Sequence, residues 1–332
     1  MSNSPADSAP TPRPSDPAGY AGLVYAVLSA AAEVERTDTT EVHQLGPETM
    51  LMLSIGDGLM EALEWAHDGV ASDEPACIWL GALRWIRAVD RELPDGAPVP
   101  PARPFTDHML ALGVQEGGDP QNIVGLRSPE MSLPHRPFNR PAASVPELAA
   151  TDGPGVLARA IALGVVPYLP IEQTRSFATA AAALSHGSPQ AHAACADAAE
   201  LIVRATHQMP QDAGENSFIQ ALERAAEVGE HTQQPDRSAQ QLDHHAQRPD
   251  HNNDGVARSN LTLAAGVALN ALGTDASEAH ATDVGTALAD EGYLQAGMFA
   301  AALIAAVTGK SGTRHHYPLI EEYSKKLAEL MF

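Results

Sequence analysis

Aromatic residues are scarce in this chain: they make up 5% of 332 residues, against a hydrophobic share of 44%. The scarcity excludes a core built on large rings. It points to helices packed closely through small side chains, above all alanine, the strongest helix former. Basic residues are also short, 20 Lys and Arg against 42 Asp and Glu, for a net charge of −22. That balance argues against nucleic acid or an anionic membrane as partner, because phosphate binding needs a basic patch. There are two cysteines, Cys77 and Cys195, far apart in helical stretches. They are expected as free buried thiols of a reducing cytoplasm, not as a disulfide or a metal pair. No run reaches about 18 uninterrupted apolar residues, so no membrane span is expected. Residues 1–17 lack the basic and apolar regions of a signal peptide and read as a disordered Pro/Ser tail. No convincing alternating strand appears. No Ser-His-Asp arrangement, Cys-His pair, P-loop or dinucleotide glycine fingerprint occurs at usable spacing.

What is present is helical. Residues 18–332 read as one all-α domain, a compact orthogonal bundle of roughly ten or more helices. An Ala-rich helix ends near Glu35. A second starts at LGPETMLM, residues 45–52, with Pro47 suited to its first turn. CIWLGALRWIRAVD (77–90) has apolar residues at helical spacing, with Arg84, Arg87 and Asp90 expected on the wet side. Residues 91–145 are rich in Pro and Gly and read as a crossing loop with a short helical piece near Asp107–Leu112. Regular helix returns at Gly155. The turn His186-Gly187-Ser188-Pro189 then separates two helices, with Ser188 as N-cap of the second. A helix over NSFIQALERAAEVGE precedes a polar stretch, 231–258, that reads as a disordered insertion. Three more helices, LTLAAGVALNAL, YLQAGMFAAALIAAVTG and PLIEEYSKKLAELMF, complete the chain.

Three of these pieces carry a resemblance. They are GPGVLARAIALGVVP (153–167), with Gly155 and Arg159, LSHGSPQAHAACADAAELI (184–202), with His186, and AALIAAVTG (301–309). In this order, behind an ETMLML helix start, they resemble the ADP-ribosylglycohydrolase family (the dinitrogenase reductase-activating glycohydrolase type) over residues 18–325. The resemblance implies an all-helical fold that hydrolyses the bond between ADP-ribose and an acceptor. It also implies two magnesium ions held by a Thr-Asp-Asp-Thr at one helix start and an Asp-x-Asp-Thr at another. Magnesium needs hard oxygen ligands in octahedral geometry. Here the first motif falls on Gly46-Pro47-Glu48-Thr49 and the second on Gly292-Tyr293-Leu294-Gln295. The family's Gly-Asp of the first helix falls near Ala26-Val27. At best one carboxylate remains, so the resemblance implies a member without magnesium or any other cofactor, and without catalytic residues.

The cleft candidates are then Glu48, Thr49, Asp57, Gly155, Arg159, Asp290 and Glu291. Glu48 most simply favours its helix dipole, with a metal or ligand role as the alternative. Thr49 is expected to bond its own backbone. Asp57 is expected solvated or paired, and Asp290 and Glu291 are expected to serve the dipole of a helix start. A buried Arg159 needs a partner, either a phosphate or an internal acid. Glu33 or Glu35 stands open as one further acid near the cleft. His186 reads as structural. The group His244, His245, Asp250 and His251 reads as solvated linker, as do His315 and His316. The leading function is a non-hydrolysing protein that binds an ADP-ribose-like ligand or a protein partner. Two alternatives stand: a hydrolase with a rearranged acidic site, and a structural or assembly protein whose cleft is filled by the 91–145 segment.

Overall fold

Proline opens helix after helix, because its fixed φ suits the first turn and its missing N–H is not needed there. In the computed structural model, described for residues 16–37, 44–114, 117–136, 151–206, 218–227, 255–273 and 280–332, it opens α1 (Pro17–Glu35), α2 (Pro47–His67), α4 (Pro104–Ala111), α5 (Pro120–Leu126), α8 (Pro189–Thr206) and α13 (Pro318–Met331). The other helices are α3 (Glu74–Asp90), α6 (Val156–Gly164), α7 (Ile171–Ala183), α9 (Phe218–Glu227), α10 (Val256–Gly273), α11 (Ala281–Asp290) and α12 (Leu294–Thr308). Among the described residues there is no strand, only one isolated bridge between Leu133 and Arg136. The chain is all-α. Aspartates cap three of the helices. Asp16 accepts from Gly19 N at 2.9 Å, Asp73 from Ala76 N at 3.0 Å, and Asp119 from Gln121 N at 2.9 Å.

The core runs through α6 and α12, where every residue from Val156 to Gly164 and from Ala296 to Ala306 is buried. Around them α1 packs on α11, α12 and α13, α2 on α3 and α6, and α8 on α6, α7 and α10. Small residues set these distances. Gly285 of α11 and Gly297 of α12 face each other so closely that a Cβ on Gly285 would sit 2.6 Å from the Gly297 carbonyl. A Cβ on Gly81 of α3 would strike the carbonyl of Ser54 in α2. α1 is long and apolar enough to cross a membrane by length and composition, yet 56% of its most apolar 18-residue window is buried inside the bundle.

Several expectations are corrected here. Arg84 is not on a wet face but fully buried, paired with Glu61 at 2.8 Å and donating to the Pro101 carbonyl at 2.9 Å. Its long stem fits the α2–α3 seam, and burying the charge requires the acid. α11, ATDVGTALAD, is a helix beyond those expected from the sequence. α10 begins at Val256, inside the stretch expected to be an insertion; residues 231–254 of that stretch, and residues 1–15, lie outside the described residues. Ser188 does cap α8, its Oγ accepting from Gln190 N at 3.1 Å. Both cysteines are free and buried.

Candidate functional site

The end of α1 and the start of α2 meet through one carboxylate. Gly46, at the N-cap of α2, has no side chain to offer the helix. A Cβ placed there would run into the carboxyl of Glu35, the last residue of α1. Glu35 therefore does the capping from outside. Its oxygens accept from Glu48 N and Thr49 N, each at 2.8 Å, and from Thr49 Oγ1 at 2.7 Å. This corrects the expectation for Thr49. Its hydroxyl bonds Glu35 and not its own backbone, because a buried carboxylate one contact away is the stronger acceptor.

Glu48 turns the other way and receives the segment before α5. It accepts the backbone N–H of Asp119, and Asn122 Nδ2 donates to it at 3.0 Å. The loop can come this close because Gly118 has φ +87°, and a Cβ there would lie 2.8 Å from Glu48 Oε1. Asp119 then passes the contact on to α6, its Oδ2 accepting from Gly155 N at 2.9 Å. Gly155 is a glycine for room: a Cβ would meet Asp119 Oδ2 at 2.6 Å and Asn122 Nδ2 at 2.7 Å. Asn122 Oδ1 accepts from Arg159 Nη2 and from Ser185 Oγ, the latter at 3.2 Å. Arg159 Nη1 donates to the Ala181 carbonyl at 2.6 Å. The partner of Arg159 is thus an amide and a backbone carbonyl, with Glu48 and Asp119 acting on it only through their field.

His186 lies at the back of this cluster, fully buried. Its Nδ1 is 2.9 Å from Ser185 Oγ, and its Nε2 is 3.9 Å from Asp119 Oδ2 with no hydrogen-bond partner. Burial, helped by the Arg159 charge, holds its imidazole well below the usual range, so it is neutral. Three carboxyls, Glu35, Glu48 and Asp119, share one guanidinium. The imbalance falls on Glu48, pushed up to about 8 by burial and then by the charge of Glu35. Burial pushes Glu35 up as well, against the pull of its bonds from Thr49 and Glu48.

The remaining candidates lie elsewhere. Asp57 is buried and paired. Arg103 donates to it at 2.7 and 3.2 Å and Thr106 Oγ1 at 2.6 Å, with Lys326 Nζ at 3.7 Å. Burial raises its carboxyl, but Arg103 and Thr106 outweigh that and hold it below the usual range. Asp290 and Glu291 are corrected. They do not open a helix; Asp290 ends α11, Glu291 is its C-cap, and both are exposed. The α11–α12 turn, Gly292-Tyr293, separates them from the start of α12 at Leu294. His315 and His316 are likewise held, His315 by Glu33 and His316 by Glu321, each at 2.8 Å. His244, His245, Asp250 and His251 lie outside the described residues.

Asp119, Asn122 and Ser185 are not among the candidates that the sequence singles out. The signal it does carry is Asp119-Pro120, an N-cap residue followed by proline at N1, inside a Pro/Gly-rich stretch. The cluster does not fit two magnesium ions. Every acid in it spends oxygens on chain donors: Glu35 on Glu48 N, Thr49 N and Thr49 Oγ1, Glu48 on Asp119 N and Asn122 Nδ2, and Asp119 on Gln121 N and Gly155 N. Cavities of about 570 Å³ between α1 and α13, and about 190 Å³ among α8, α9 and α10, both lie away from it. No protein-family model matches this chain, and no curated protein matches it.

Proposed function

We propose that the chain is a degenerate, ADP-ribosylglycohydrolase-like helical protein that binds a partner without hydrolysis. In this reading the position of the family's metal ions is filled from within by residues 117–122. One observation carries it. The only acid left from the first metal motif, Glu48, accepts the Asp119 N–H and the Asn122 amide, so chain donors occupy the oxygens that a cation would use. The helix starts of α2, α5 and α6, together with Arg159, supply positive charge to the three acids. A protein partner fits this better than an ADP-ribose-like ligand, because the side chains around Glu48 are buried against one another.

The convergence of Glu35, Glu48 and Asp119 favours the second reading, a hydrolase with a rearranged acidic site. The two separate in one experiment. The chain is incubated with an ADP-ribosylated protein and magnesium or manganese, and its melting is followed with free ADP-ribose, with and without EDTA. The proposal expects no ADP-ribose release and no thermal shift in any condition. Divalent-dependent release that disappears in Glu48→Ala establishes the hydrolase. A shift indifferent to EDTA, near 3 kcal/mol at about 100 times the dissociation constant, establishes instead a ligand-binding protein without hydrolysis.

A further inference from the structure

We draw no further inference here: the strongest candidate, the polar cavity among α8, α9 and α10, has a charge-balanced lining of Asp197, Glu200, Arg224 and Arg258 in which both acids are already held by arginines, and nothing in the structure shows what covers it.

Discussion

Glu48 is a carboxyl in a place that disfavours carboxylates: buried, beside Glu35 and Asp119, with one guanidinium for the three. Its folded value of about 8 stands above the ordinary 4.5, so between these two pH values the folded chain holds a proton that the unfolded chain has lost. The stability it contributes is complete below 4.5 and is lost as pH rises through 8. Glu48→Gln removes this titration. In denaturant melts the variant should match the parent near pH 5 and exceed it at pH 9, by roughly 2–4 kcal/mol. A parallel dependence in both proteins would contradict the assignment. Glu35 has the opposite role, since three donors rely on it. Glu35→Ala uncaps α2 and should cost about 2–4 kcal/mol at neutral pH. Arg103→Met strands the buried Asp57 and should cost about 3–5 kcal/mol, read as a lower denaturant midpoint. At this scale the sequence reached Glu48, Thr49, Gly155 and Arg159 through their motif positions, and Glu35 through the neighbouring helix. It could not reach Asp119 or Asn122, because only folding carries a Gly-Gly-Asp-Pro loop onto an acid about 70 residues earlier.

At the scale of elements, helix contacts are governed by where a Cβ has room. Gly81 and Gly22 both sit inside helices, where alanine is intrinsically better by about 1 kcal/mol. Gly22→Ala should realise that gain, since its Cβ meets open space. Gly81→Ala should instead lower stability by about 1–3 kcal/mol, because the Cβ strikes the Ser54 carbonyl across the α2–α3 seam. Equal melting shifts of the same sign in the two variants would refute this packing. Helices with long apolar periodicity, such as α3, α8 and α12, were readable from the chain. α11 was not, since its ten residues mix Thr, Asp and Gly with few large apolar side chains, and its place is set by the Gly285–Gly297 contact across chain segments. The burial of Arg84 was equally hidden, because a helical pattern places an arginine on a face but does not show that the neighbouring helix supplies Glu61 there.

At the scale of the whole molecule the all-α class followed from alanine, proline caps and the lack of alternation, and the thirteen described helices agree with it. What a composition cannot convey is how buried charge is settled. The cluster between α1, α2, α5 and α6 resolves three acids with helix N–H groups, Arg159 and a proton; under the function proposed above, no divalent ion is held there. A diffraction experiment on crystals soaked in manganese chloride, with data collected for anomalous scattering, tests this most directly. The account predicts no ordered ion at Glu35, Glu48 and Asp119, with the Asp119 N–H still on Glu48. Two peaks about 3.5–4 Å apart between these carboxylates, the spacing of a working dinuclear site, would contradict it.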